Sequence, residues 1–250
     1  MLGPFVLEVD DRPLERWQRG KAKSLCKFLV AHRTQPVPRE VLMEHLWPEA
    51  SPDLAAGRLK VTVHALRQVV NGARPVGAAE DCILFAEGSY RVNPLLRIRV
   101  DAEEFQQHWE TGRACERRGD IPQAIVEFEQ AEGLYRGDFL EEDLYEEWTQ
   151  IRREHLKDLF LFVLGRLADT CLGEGDYDAC IARCHRILAR DSTQEEAYRR
   201  LMICHARMGH VGQALTWYRL CAEVLQRDLE LPPGAETESL HRRLRAGQPV

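Results

Sequence analysis

The chain has 250 residues, of which 44% are hydrophobic and 30% charged, and its formal net charge is −6. This composition predicts a soluble globular protein of two domains and excludes collagenous, low-complexity and disordered chains. No apolar stretch approaches the ~20 residues that a membrane-spanning helix needs, and no basic segment of a secretory signal follows Met1. We therefore expect a cytoplasmic protein, not bound to a membrane, with its eight cysteines reduced.

The charge divides unevenly along the chain. Residues 1–100 contain 15 Lys and Arg against 11 Asp and Glu, whereas residues 101–250 contain 19 against 29. The two parts thus carry net charges of +4 and −10, which predicts different partners for each. The basic excess of the first part is small, so charge alone is weak evidence for nucleic-acid binding.

Short strands followed by helices are predicted in the first part. Residues 2–17 are rich in strand-forming side chains, and Asp10-Asp11 is a turn candidate. After Lys21, apolar residues recur at the spacing of amphipathic helices, and prolines at 36, 38 and 48 interrupt them. This pattern predicts three helices, over residues 22–32, 39–46 and 53–70.

A β-hairpin is predicted after the three helices. A loop rich in Gly, Ala and Pro (71–79) precedes two alternating apolar segments, which Glu87-Gly88 separates as a turn. Strands, three helices and a two-stranded ribbon, in this order, predict a winged helix-turn-helix DNA-binding domain over residues 1–98.

Residues 99–250 are almost entirely helical by periodicity, and they contain a repeated motif. A glycine is followed two residues later by an apolar or aromatic residue and five later by a small one, at Gly119, Gly175 and Gly209. The last two are 34 residues apart, which is the tetratricopeptide period. The first two are 56 apart, and we expect the intervening LYRGDFLEEDLYEEW to bend or cap the array. A terminal helix is predicted to start at Thr237.

The predicted fold is therefore mainly α with a small β component: a winged helix-turn-helix and then an all-α, tetratricopeptide-like repeat domain. No enzyme motif accompanies it, since the sequence lacks the GxxxxGK[ST] phosphate loop, HExxH and GxSxG. A superficial resemblance to a metal cluster is formed by Cys180, Cys184-His185 and Cys204-His205. However, Cys180 and Cys184 lie at repeat positions that require small core residues, so we interpret them as core residues. We expect no enzymatic activity, no cofactor and no metal.

Several short segments, spread over essentially the whole chain, carry a family resemblance. In the first part they are LGPF at 2–5, Leu46-Trp47-Pro48, LKVTVHALRQVV at 59–70 and GSYRV at 88–92. In the second part they are LYRGDFL at 134–140 with Glu147-Trp148, and LELPP at 229–233 with Thr237. The chain resembles the Streptomyces antibiotic regulatory protein family, in which an OmpR-type winged helix precedes a bacterial transcriptional activator domain.

This resemblance implies a DNA-binding transcriptional activator. Its implied partners are double-stranded promoter DNA and RNA polymerase or a regulatory partner, with a homodimer or side-by-side protomers on DNA both compatible. Some relatives carry further ATPase or sensor domains, and we expect none here because the chain ends soon after the repeats. A complete protein and a segment of a longer one both stay open.

The third helix resembles the recognition helix of the family. With Leu59, Val63, Leu66 and Val70 facing inward, the polar side chains of the opposite face could reach base edges in the major groove. That opposite face consists of Gly57, Lys60, Val61, His64 and Gln68. Arginines beside this face and on the wing suit phosphate or minor-groove contacts. The predicted DNA-binding residues are Arg58, Lys60, Thr62, His64, Arg67, Gln68 and Arg91.

A second function stays open beside DNA binding. Ala65 and Gln68 stand where relatives often carry arginine, and the third helix could then present an ordinary solvated face. The chain would in that case be a protein-interaction scaffold within a larger signalling regulator, with little sequence-specific DNA binding.

Overall fold

The computed structural model describes residues 1–9, 12–14, 17, 20–73 and 81–250. They form two compact units, which we name the first unit, Phe5–Arg99, and the second unit, Met1–Pro4 with Val100–Val250. The sequence-based boundary at residue 98 therefore misassigns the first four residues. Their backbone pairs with the segment after the second unit's first helix pair: the Gly3 N–H donates to the Asp138 carbonyl at 3.0 Å, and the Leu140 N–H donates to the Met1 carbonyl at 2.8 Å.

The first unit contains short strands and three helices among its described residues. They are β1 (Glu8–Val9), β2 (Arg12–Pro13), α1 (Ala22–Ala31), β3 (Val37–Pro38), α2 (Arg39–Leu46), α3 (Pro52–Ala73), β4 (Ile83–Ala86) and β5 (Ser89–Val92). The three predicted helices are confirmed, although α3 continues three residues into the predicted loop. The remainder of that loop, 74–79, and the predicted turn at Asp10-Asp11 lie outside the described residues.

A three-stranded antiparallel sheet, in the order β3-β5-β4, completes the winged-helix arrangement. The predicted β4–β5 hairpin turns through Glu87 and Gly88, whose φ angles are 51° and 77°. The third strand was not predicted, because prolines 36 and 38 suggested a simple break between helices. An edge strand tolerates proline, which has no N–H to donate, and Val37 lies opposite Tyr90.

The apolar faces of the three helices share one core. Leu25, Leu42 and Leu66 are completely buried, and Leu59 and Val63 are nearly so. Three of the four predicted inward residues of α3 are thus confirmed. Val70, the fourth, is only half-buried because it lies in the last turn and a half of the helix.

The second unit consists of three antiparallel helix pairs and a closing helix. These are α4 (Asp101–Arg117) with α5 (Ile121–Leu134), α6 (Glu147–Glu174) with α7 (Tyr177–Arg190), α8 (Glu195–Arg207) with α9 (Val211–Leu229), and α10 (Ala235–Arg245). The repeat motif is confirmed: each motif glycine lies between the two helices of a pair, with φ of 80–82° that a side chain would disfavour. No helix of the described residues is long and apolar enough to cross a membrane.

Close approach of α4 and α5 depends on Gly112. A Cβ placed there would lie 2.6 Å from Cε1 of Phe128, a ring that is 2% exposed. The ring therefore fills the space that the glycine leaves empty, and the two helices pack closely.

Two elements account for the irregular spacing of 56 residues between Gly119 and Gly175. Part of it is the connection 135–146 that was predicted as an insertion. The rest is α6 itself, which has 28 residues, whereas α8 has 13. The repeat motif locates the turn of each pair but contains no information on how long the first helix of the pair is.

A buried guanidinium holds the connection 135–146 in place. Arg153, on α6, is 7% exposed. It donates to the carbonyls of Phe139 at 2.9 Å, of Leu140 at 3.2 Å and of Asp143 at 2.9 Å, and its Nη2 also donates to the Thr149 hydroxyl at 2.8 Å. The cation thus supplies a donor to the Phe139 carbonyl and a second donor to the Leu140 and Asp143 carbonyls, which also accept from the backbone N–H groups of Asp143 and Glu146.

Ion pairs join the first helices of successive pairs. Arg166 on α6 contacts Glu116 on α4 at 2.6 Å, and Arg200 on α8 contacts Asp169 on α6 at 2.7 Å. Arg166 is also 3.5 Å from Asp169, so the charges alternate without a break across three helices. Such an alternation favours one register of the stacked repeats over a shifted one.

Seven of the eight cysteines are buried, and Cys171 is partly exposed. All eight are free thiols, and Cys180, Cys184 and Cys204 are completely buried. Hydrogen bonding with Cys180, and then burial, raises the pKa of the Cys184 and Cys204 thiols far above the ordinary value. No group of three His, Cys, Asp or Glu side chains in the described part of the chain is placed to hold a metal ion.

Gly112→Ala is expected to lower the free energy of unfolding of the second unit by about 1–3 kcal/mol, because the new methyl group overlaps the Phe128 ring. Gly173→Ala is the matched control: it also lies in a helix, but a Cβ there meets nothing within 4 Å. This control should be neutral or stabilising by up to about 1 kcal/mol. Urea unfolding measures both, and equal effects would show that the close approach is unimportant.

Arg153→Met is expected to destabilise the second unit by about 3 kcal/mol, since the buried Phe139 carbonyl loses its donor and the Leu140 and Asp143 carbonyls each lose one of two. Arg227→Met, which removes a 68% exposed guanidinium paired with the adjacent Asp228, should change the stability by less than about 0.5 kcal/mol. Denaturant unfolding of both variants is the measurement. A cost for Arg153→Met no larger than that of the control would contradict the anchoring role.

Candidate nucleic-acid interface

The helix α3 exposes one polar face along its length. Pro52 begins the helix, where its missing N–H costs nothing, and Asp53 places a carboxylate in the first turn. Leu59, Val63 and Leu66 attach one side of the helix to the core. The opposite side therefore turns toward solvent over several turns, as a helix must if it is to enter a groove of DNA.

Five of the seven predicted residues are exposed. On α3 these are Arg58, Lys60, His64 and Gln68, and on β5 it is Arg91. In the part of the chain that the structure describes, no carboxylate forms an ion pair with Arg58, Lys60 or Arg91. Their charges are thus available to an external anion such as a phosphate group.

Thr62 does not belong to this exposed set. Its side chain is 9% exposed. It lies three residues after Leu59 and four before Leu66, so helical geometry turns it toward the buried side. Thr62 nevertheless lines the shallow groove beside α3, and its role in DNA binding stays a prediction.

Arg67 has a partner within the first unit. Its Nε and Nη2 donate to the Ile83 carbonyl of β4 at 3.1 and 2.6 Å, and its Nε lies 3.6 Å from Asp81 Oδ2. The guanidinium therefore joins α3 to the base of the hairpin. Its role as a phosphate contact stays a prediction, and the guanidinium would have to leave these partners to fulfil it.

The wing presents Arg91 by strand alternation. Tyr90 and Val92 are buried, so Arg91 between them points to the opposite, exposed side of β5. Phe85, half-exposed on β4, packs against Tyr90 with ring centroids 4.6 Å apart. The Arg39 N–H donates to the Gly88 carbonyl at 3.1 Å, which connects the start of α2 to the wing turn.

Sequence reasoning assigned no role to Lys21 or Val61. Both line a shallow groove of about 630 Å³ beside the exposed face of α3, together with Trp47, Leu54 and Arg58. Val61 is 70% exposed. One signal was present in the sequence: Val61 falls out of phase with the buried stripe of α3.

Comparisons with known proteins support a common origin. Residues 100–245 match the family described as the bacterial transcriptional activator domain. The regulatory protein DnrI of Streptomyces peucetius is 29% identical over 253 aligned positions, covering 98% of this chain and 91% of DnrI. The transcriptional regulator RedD of Streptomyces coelicolor is 25% identical, covering 92% of this chain and 65% of RedD.

A solved structure has the same fold over the whole chain. It is that of EmbR of Mycobacterium tuberculosis in complex with a low-affinity phosphopeptide, with a TM-score of 0.78 at 23% identity. This chain is covered completely and spans 65% of that EmbR chain. At 23% identity, this similarity establishes a shared fold and nothing about function.

Arg67→Met is expected to destabilise the first unit by about 1–2 kcal/mol, because the Ile83 carbonyl loses its two donors. Lys60→Met, at an exposed position on the same helix, should stay within about 0.5 kcal/mol of the parent protein. Thermal unfolding followed by circular dichroism compares the two. If both variants unfold at the same temperature as the parent protein, Arg67 does not position the hairpin.

Proposed function

Because the chain belongs to the bacterial transcriptional activator domain family, we propose that its winged helix binds double-stranded promoter DNA and that its helical repeats contact RNA polymerase or another regulatory partner. The family is a class of transcriptional regulators and not of enzymes. Its relatives DnrI and RedD are a regulatory protein and a transcriptional regulator by name. Our proposal goes beyond family membership, since it names the molecule that each of the two units contacts.

The unpaired cations around the exposed face of α3 carry the proposal of DNA binding. Arg58 and Lys60 lie on α3, and Arg91 lies on the wing, all in the part of the chain with a net charge of +4. Cations of this kind bind phosphates and release the counterions of DNA, which gives affinity without sequence preference.

Base recognition is assigned to the centre of the helix face. Lys60 can donate to the acceptors of guanine, and Gln68 can pair with the donor and acceptor of adenine. His64 can donate or accept according to its tautomer. Arg58 and Arg91 hold the backbone and set the orientation of the helix in the groove.

The second unit is assigned to a protein partner. Its net charge of −10 over residues 101–250 repels phosphate, whereas stacked helix pairs offer an extended surface that suits a peptide or a helix. Several large apolar side chains near the start of α6 are exposed, as is usual for protein contacts. They are Leu144, Tyr145 and Ile151. A homodimer and side-by-side protomers on DNA are both compatible with this assignment.

A second candidate is a scaffold segment of a larger signalling regulator. The observation that favours it is the engagement of Arg67 with Ile83. Together with Ala65 in the middle of the helix face, this leaves Lys60 as the main cation for base contact. In such a scaffold the first unit would not bind DNA in a salt-dependent manner.

Binding to a DNA duplex is expected to weaken as salt is raised, with log affinity falling linearly against log salt. Each phosphate contact contributes about 0.9 to the slope. Alanine at Arg58 or Arg91 should therefore reduce the slope by about 0.9, and alanine at Lys60 should also lower affinity for a preferred sequence. Fluorescence anisotropy with a labelled duplex measures these quantities.

The control for this titration is Arg219→Ala, at a surface arginine of α9 whose Nη2 donates to Thr216 within the same helix. It should leave both the slope and the affinity unchanged. A flat salt response of the parent protein would reject DNA binding and support the scaffold. Equal effects of Arg219→Ala and Arg58→Ala would show that α3 does not face the phosphates.

A further inference from the structure

Val61 is an apolar side chain in the middle of a polar helix face. It is 70% exposed, whereas the other apolar residues in the middle of α3, among them Leu59, Val63 and Leu66, are buried. Its neighbours on the exposed side are Lys60 and His64. A valine in this position contributes nothing to the core and leaves apolar area in contact with water.

The geometry of the helix leaves Val61 accessible to a large ligand. His64 and Gln68 follow it by three and seven residues, so the three side chains share one face. A helical side chain leans toward the preceding turn, where Gly57 has no side chain and a Cβ would meet nothing within 4 Å. Nothing on the helix itself therefore covers the valine.

We propose that Val61 contacts the 5-methyl group of a thymine in the major groove and thereby specifies one base pair of the DNA site. The inference rests on the proposed function, and it names a specificity determinant that the polar residues cannot supply. Thymine presents a methyl group on the major-groove edge, and an apolar side chain is its usual contact. Cytosine lacks that methyl group at the same position, so a valine there discriminates T·A from C·G.

The charges around Val61 favour DNA over a protein as the occupant of this surface. Lys60 precedes it on the helix, and the adjoining groove is lined by two cations, Lys21 and Arg58, against one carboxylate, Asp53. In the part of the chain that the structure describes, no carboxylate forms an ion pair with any of these three cations. A surface with an apolar centre and unpaired cations around it matches a base edge between two phosphate backbones.

The test removes the methyl group from the DNA and from the protein in turn. Duplexes that the protein prefers are selected from a randomised library, and each thymine of the selected site is replaced by deoxyuridine. For the parent protein we expect one such replacement to weaken binding about three- to fivefold, the loss of one buried methyl contact. For Val61→Ala, binding to the thymine duplex should weaken similarly, and the deoxyuridine replacement should have no further effect.

The matched control is Val41→Ala, at an exposed valine on α2, which should keep the full deoxyuridine penalty. If Val61→Ala keeps that penalty too, or if no deoxyuridine replacement weakens DNA binding by the parent protein, the inference is overturned while DNA binding itself stands. If Val61 instead binds a protein, Val61→Ala leaves DNA affinity unchanged, which also overturns it. A parent protein without salt-dependent DNA binding would overturn the proposed function itself.

Discussion

The second unit depends on one buried cation, the guanidinium of Arg153. The segment that it anchors has Phe139 and Leu140 completely buried, so the backbone around them has lost contact with water. A carboxylate partner would have neutralised the charge but left the Phe139 carbonyl without this donor. The three carbonyl dipoles that converge on the guanidinium stabilise the cation, and the guanidinium in turn gives the Phe139 carbonyl its donor. The first helix pair can therefore stack on the second across an irregular connection.

Local periodicity was sufficient to predict most of the fold. The helices of the first unit and the helix pairs of the second follow from the spacing of apolar and small residues. This spacing is a local property of the sequence, because it involves only residues a few positions apart. The edge strand at Val37-Pro38 was missed, because its pairing with β5 is remote in sequence and proline normally argues against a strand. The length of α6 was missed because a repeat motif marks turns and not helix ends.

The candidate interface was predictable for residues whose surroundings are the helix alone. Lys60, His64 and Gln68 are exposed as the helical spacing requires. Arg67 and Thr62 differ because other elements decide their environment: β4 offers a carbonyl to one, and the packed helices cover the other. The spacing of residues along one helix contains no information about the elements that pack beside it. It also cannot distinguish an exposed valine that binds a ligand from one that does not.

The second unit is not a continuous piece of chain. Its first contribution, Met1–Pro4, forms hydrogen bonds with residues 135 to 139 positions later in the chain, in the segment 138–140. During translation this end must therefore wait, unpaired, while the whole of Phe5–Arg99 leaves the ribosome. Long loops of this kind slow the final closure of a fold. A fragment beginning at Val100 would lack this segment and leave the Leu140 N–H without the Met1 carbonyl, so isolated repeats should be studied with it restored.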